Sequence, residues 1–127
     1  MAYDSTKLAL ADATSAVWAL AWTRFFLRDT STPEAFTDAE LNAVLAAHAF
    51  TSEDDDVYYR PHVAAAALIR SDPDRAMSEG LLGANITNRD PASVARSIRA
   101  AGAWVDDLIE LAAGERPPTG RTLVPVF

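Results

Sequence analysis

Ala16-Val17-Trp18-Ala19-Leu20-Ala21-Trp22-Thr23-Arg24-Phe25-Phe26-Leu27 is the most apolar run of the chain, and its reading decides the fold. A bilayer span needs roughly twenty apolar residues. This run is shorter and includes Thr23 and Arg24, so it reads as a buried helix of a folded domain. Trp18, Trp22, Phe25 and Phe26 follow one another at spacings of 4, 3 and 1, which sets them on one broad helical face. A core stripe is the plain reading of that face, and a surface between subunits is the alternative. Arg24 sits among these apolar neighbours. A buried guanidinium is costly unless paired, so an ion pair with Asp29 or Asp38 is expected, an intersubunit pair being the functional alternative.

Upstream, Asp4 and Ser5 offer caps for a helix running from Lys7 to Arg28. Downstream, Asp29-Thr30-Ser31-Thr32-Pro33 breaks it with turn formers and a proline. Thr37-Asp38-Ala39-Glu40 is a capping-box pattern, in which the Thr37 hydroxyl and the Glu40 carboxylate serve each other's backbone amides. Leu41, Val44, Leu45 and His48 then come at helical spacing and predict a short second helix. Ser52 to Asp56 reads as an acidic loop or helix start, whose acids favour the positive end of a third helix from about Asp56 to Arg70. Pro61 is tolerated there near the first turn, and Ala64 to Ala67 permit close approach of a neighbour before Ser71-Asp72-Pro73 ends the helix. Residues 78–89, with Gly80 and Gly83, read as a loop or a minimal β-ribbon. Asp90-Pro91 caps a last helix with a stripe of Val94, Ile98, Ala101, Val105, Leu108, Ile109 and Ala112, running to Gly114 despite Gly102. The expected fold is therefore all-α: a small bundle of four to five helices over residues 1–114, with an extended C-terminal tail over 115–127 that Pro117, Pro118 and Pro125 keep from being helical.

Composition bounds the function. A chain of 127 residues holds one domain with a real core. Half of it is apolar and 23% charged, the balance of a folded soluble protein. The net charge of −7 is uneven. Residues 1–56 hold ten acids against Lys7, Arg24 and Arg28, while from Val57 onward eight acids meet eight arginines. Gripping nucleic acid through its phosphates needs clustered Lys and Arg, and an acidic half without a basic patch argues against it. The same charge suits a surface that DNA passes without sticking, although solubility alone accounts for it equally well. The opening Met1-Ala2-Tyr3-Asp4 has no basic region followed by an apolar run, so no signal peptide is expected.

Catalytic and metal chemistry find little footing. There is no cysteine, which excludes disulfides and thiolate metal sites. His48 and His62 each lack a second histidine at helical metal spacing. His62 with Asp54 to Asp56 is the nearest approach to a divalent site; the plainer reading puts His48 at the border of the core and His62 in solvent or a hydrogen bond. Glu53-Asp54-Asp55-Asp56 lacks the alternating oxygen ligands and central glycine of a calcium loop. No serine stands in a nucleophile elbow, and Gly80-Leu81-Leu82-Gly83 lacks the ending of a phosphate loop. No catalytic residue, cofactor or metal is expected.

Arg24-Phe25-Phe26-Leu27-Arg28-Asp29-Thr30 and Phe36-Thr37-Asp38-Ala39-Glu40-Leu41 resemble the opening of the head-to-tail adaptor (connector) proteins of tailed bacteriophages. There an Arg-Phe-aliphatic run ends in Asp-Thr, and a short loop leads to a helix beginning Phe/Leu-Ser/Thr-Asp-Glu-Glu. Val57-Tyr58-Tyr59 with the alanine-rich helix, Ser71-Asp72-Pro73-Asp74-Arg75-Ala76 and the final helix Pro91 to Ala113 keep the family's order, so the likeness covers about residues 24–113. Order and spacing carry it, because each motif alone is ordinary capping chemistry. The chain departs in having Arg28 where a small residue, often glycine, precedes the aspartate, and in the additional helix Lys7 to Ala21.

The resemblance implies a structural virion protein made in the bacterial cytoplasm and built into the neck. Such proteins form a ring, commonly of twelve copies, beneath the portal protein and extend the DNA channel toward a stopper or tail protein. It also implies that the extended C-terminal segment contacts the portal, here Thr122, Leu123, Val124, Pro125, Val126 and Phe127. Alternating apolar residues suit that role independently, since they add as a strand or fill pockets on a partner. Glu53, Asp54, Asp55 and Asp56 are candidate acids of the channel or rim. The rival expectations are a small helical regulatory or DNA-binding module, for which the last helix mixes Arg96 and Arg99 with Asp106, Asp107 and Glu110, and a small enzyme or ligand-binding bundle, which would need a convergent polar cluster.

Overall fold

The computed structural model describes residues 5–10, 12–30, 34–76 and 90–117. They form an all-α fold of five helices of ten to twelve residues, one single-turn helix, a 3₁₀ turn and a very short β-hairpin. The 3₁₀ turn spans Ser5–Leu10, followed by α1 (Ala16–Leu27), α2 (Asp38–Ala47), β1 (Phe50–Thr51), β2 (Val57–Tyr58), α3 (Pro61–Ser71), α4 (Pro73–Ala76), α5 (Pro91–Ala101) and α6 (Ala103–Ala113). The expected loop or ribbon at 78–89 and most of the expected tail lie outside the described residues.

The expected first helix is interrupted. Asp12 accepts hydrogen bonds from both the amide and the hydroxyl of Thr14, at 3.0 and 2.6 Å. Short polar side chains that capture nearby backbone compete with helix in this way. Ser15 then caps α1 by accepting from the Trp18 amide. At its other end α1 closes in a Schellman arrangement, with the Asp29 amide reaching Arg24 O and the Arg28 amide reaching Phe25 O. Arg28 occupies the left-handed position of that motif at φ 61°, where glycine is usual.

The alanine-rich α3 is the central post. Pro61 to Ala66, Leu68 and Ile69 are buried, and α1, α2, α4, α5 and α6 all touch the helix, α5 and α1 most extensively. Small side chains on every face permit that company, because neighbours approach without voids. One core group joins Leu20, Leu27, Phe36 and Leu41 to Ala65, Ile69, Val94 and Ile98, and a second joins Trp18, Leu45, Tyr58 and Ala64 to Val105 and Ile109. Trp22 and Val44 bridge the two.

Three further expectations are corrected. The third helix begins at Pro61, with Arg60 as its cap. Asp56 instead belongs to an antiparallel hairpin in which Phe50 pairs with Tyr58 and Thr51 with Val57. The last helix breaks at Gly102 into α5 and α6. A Cβ there would lie 2.2 Å from the Cβ of His62, so the glycine is a point of close approach to α3 as well as a helix weakener. His48 is exposed at the C-cap of α2 and does not border the core.

Arg28→Gly is expected to stabilise the protein by about 1 kcal/mol, the order of the left-handed penalty for a non-glycine residue. Urea denaturation of the two proteins measures it, and an unchanged or lower midpoint would contradict this account of the α1 terminus.

Candidate functional site

The stretches Arg24–Thr30, Phe36–Leu41 and Ser71–Ala76 meet in one polar clamp. Arg24, 1% exposed, extends from α1 and donates to Asp29 Oδ2 at 3.0 Å, Phe36 O at 3.0 Å and Asp38 Oδ1 at 2.6 Å. Both partners expected from sequence are therefore engaged within the same chain. Asp29, equally buried, accepts the amides of Ala35 and Phe36 at 2.8 and 2.9 Å. The loop between α1 and α2 is thus pinned from both sides, its amides by a carboxylate and its carbonyl by a guanidinium. The capping box is present in full, with Thr37 Oγ1 accepting from Glu40 N and Glu40 Oε1 accepting from Thr37 N.

A second arginine extends the clamp to α4. Arg75 donates to Glu40 at 2.7 and 3.2 Å, to Asp72 at 3.0 Å and to Ala35 O at 3.1 Å. Its guanidinium carbon lies 4.2 Å from the centroid of the fully buried Phe36 ring, a cation–π contact. The hydrogen bond from Arg75, and then the one from the Thr37 amide, hold the Glu40 carboxyl down at about 2.

A second polar group joins residues that no local sequence pattern connects. Arg60 grips Asp106 with two hydrogen bonds, Nε to Oδ1 at 2.9 Å and Nη2 to Oδ2 at 3.0 Å, and His62 Nε2 stands 3.3 Å from the same Oδ2. Burial pushes His62 down against the opposing pull of Asp106. Burial also opposes ionisation of Asp106, but the bonds from His62 and Arg60 outweigh it and hold that carboxyl below its ordinary range. The histidine is neutral at neutral pH and offers its Nε2–H to the carboxylate. A histidine–aspartate couple is the basic half of hydrolytic triads. Here the aspartate is taken up by Arg60, His62 is 1% exposed, and its Nδ1 is buried without a partner, so the group ties α6 to the start of α3.

The candidate rim acids are brought together on the hairpin loop. Glu53, Asp54, Asp55 and Asp56 are all exposed, and Asp55 turns the loop at φ 66°. The Glu53 amide donates to Glu115 at 2.8 Å, which adds a fifth acid. Burial, followed by the charges of Asp56, Asp54, Asp12 and Glu115, pushes the Tyr58 hydroxyl up. Among the described residues no three metal-binding side chains converge, and His62 is engaged with Asp106, not with Asp54 to Asp56. The expected portal-contact residues Thr122 to Phe127 lie outside the described residues.

The aromatic face of α1 divides between core and surface. Trp18 and Phe26 are buried, Trp22 is half-buried, and Phe25 is 37% exposed. Trp104 of α6, which sequence reasoning did not single out, joins them, with its ring centroid 4.8 Å from Trp22 and 6.2 Å from Trp18. Its place seven residues before the exposed Leu111 on one helix was the available signal. No helix among the described residues is long and apolar enough to cross a membrane. No family model, curated protein or solved structure matches the chain.

Removing one partner of a buried ion pair typically costs about 3–5 kcal/mol. Arg24→Ala is expected to lose stability on that scale in urea, and a loss within the range of an ordinary surface substitution would refute the clamp. Glu40 gives a pH signature. Its folded pKa of about 2 lies below the ordinary 4.5, so its stabilisation is complete above 4.5 and fades as pH falls toward 2. The stability gap between the parent and Glu40→Gln should therefore narrow across that window, as thermal melts at stepped pH would record.

Proposed function

We propose that this chain is a structural adaptor subunit of the neck of a tailed phage or phage-like particle, forming a ring between the portal and the stopper or tail and continuing the DNA channel. The observation that carries the reading is the clamp. The stretches Arg24–Thr30, Phe36–Leu41 and Ser71–Ala76, whose order resembles the adaptor family, are joined by the hydrogen bonds of Arg24, Asp29, Glu40 and Arg75. Their spacing thus belongs to one structural unit rather than to separate helix caps that happen to recur in order.

Charge fits the same reading. The hairpin presents Glu53 to Asp56 to solvent, and a like-charged rim repels DNA phosphates at short range. In this role the protein acts by shape and assembly, without catalysis or a cofactor. Thr122 to Phe127 supply the portal contact, docking as an extended segment.

The test mixes purified protein with portal-bearing, DNA-filled capsids of the same source and images the vertex. A ring with the portal's symmetry is expected from the full chain. A version lacking residues 122–127 is expected to keep its helical circular dichroism and lose portal binding. Undiminished binding by the truncated protein would remove the tail from the portal contact. No ring from the folded full chain would favour a regulatory module, which a DNA gel shift checks.

A further inference from the structure

The aromatic ridge that crosses from α6 to α1 is open to solvent. Trp104 is 38% and Phe25 37% exposed, and Trp22 lies between them with ring centroids 4.8 and 5.1 Å away. Arg28 closes the far end, its guanidinium carbon 5.6 Å from the Phe25 centroid. The indole N–H of Trp22 is satisfied by Leu8 O at 3.0 Å. That of Trp104 makes no hydrogen bond among the described residues, so the ridge offers apolar ring faces and one available donor. Leu111, 86% exposed, continues the same stripe one heptad along α6.

The described chain just beyond α6 stays tied to that helix. Gly114 closes the helix in the left-handed conformation at φ 79°. Arg116 then reaches back to Asp107 at 2.5 Å and Glu110 at 3.0 Å. Asp107 is one turn from Trp104, so the Arg116 side chain lies along the outer side of α6 that leads to the ridge. Pro117 is buried, and Pro118 after it favours an extended path. The ten residues 118–127 span up to roughly 33 Å when extended, about twice the roughly 16 Å length of an eleven-residue helix. Reach is therefore ample. The chemistry also matches, because Leu123, Val124, Val126 and Phe127 are apolar and the segment's backbone carbonyls can accept from the Trp104 indole.

We propose that residues 122–127 of the same chain pack across the Trp104–Trp22–Phe25 ridge as an extended segment, so that the tail is docked on its own subunit whenever no partner holds it. This docking is independent of the portal reading, although under that reading the portal competes with the ridge for the tail.

The absence of native cysteine allows one nitroxide to be placed through Thr122→Cys in the full chain, with the three tryptophan indole N–H signals read by NMR. The Trp104 and Trp22 signals are expected to lose most of their intensity when the label is paramagnetic and to regain it in the added double variant Val126→Ser, Phe127→Ser. Unbroadened signals in the first protein would overturn the proposal. So would broadening that survives the double variant, since tether proximity alone would then explain it. A mixture of isotope-labelled protein without nitroxide and unlabelled, nitroxide-bearing protein is expected to show no broadening; broadening there would assign the ridge to a second copy's tail and overturn the intrachain contact. Neither portal nor capsid is present, so this result stands apart from the portal-binding test.

Discussion

A guanidinium taken almost completely out of water sets the terms for the first half of this molecule. Arg24 cannot be left unpaired at 1% exposure, since the desolvation of an isolated charge exceeds any single contact it replaces. Its pairing requires Asp29 to stand five residues on, which in turn requires α1 to stop and reverse at Arg28. Asp29 then captures the amides of Ala35 and Phe36, and the start of α2 is set by where that loop arrives. Helix end, loop path and next helix start are consequences of satisfying one charge.

The second half depends on the absence of bulk. α3 has alanine at 64 to 66, each no more than 1% exposed, and five other helices approach it. A leucine at such a position would hold one neighbour off and leave another without contact. Among the described residues, polar fixing appears at the ends of this post, with Arg75 binding Glu40 at one end and Arg60 binding Asp106 at the other. The middle is packed and the ends are hydrogen-bonded, which limits how the helices slide along one another.

The parts of this fold that are legible in the sequence are those decided within a few residues. The Thr37–Glu40 box, the Asp90-Pro91 start and the partners of Arg24 arise from side chains that act on nearby backbone or on acids close by in the sequence. The hairpin is less visible, because four consecutive acids favour a helix N-terminus as readily as a turn; Phe50-Thr51 and Val57-Tyr58 on either side are the β-prone signal. Gly102 is locally visible as a helix weakener, but the close approach of His62, forty residues away, is reported by no local rule. Likewise the Arg60–Asp106–His62 group joins residues 44 and 46 apart, and Trp104 becomes part of an aromatic surface only once α6 lies beside α1. Of the candidate functional residues, the hairpin acids are located as an exposed set, whereas Thr122 to Phe127 lie outside the described residues.

The contact between Gly102 and His62 has a mechanical consequence. The glycine backbone is packed against the imidazole stem, and that imidazole is itself hydrogen-bonded to Asp106 on α6, so the corner between α5 and α6 cannot turn without disturbing a buried ring. Motion at this joint is therefore coupled to α3 rather than free.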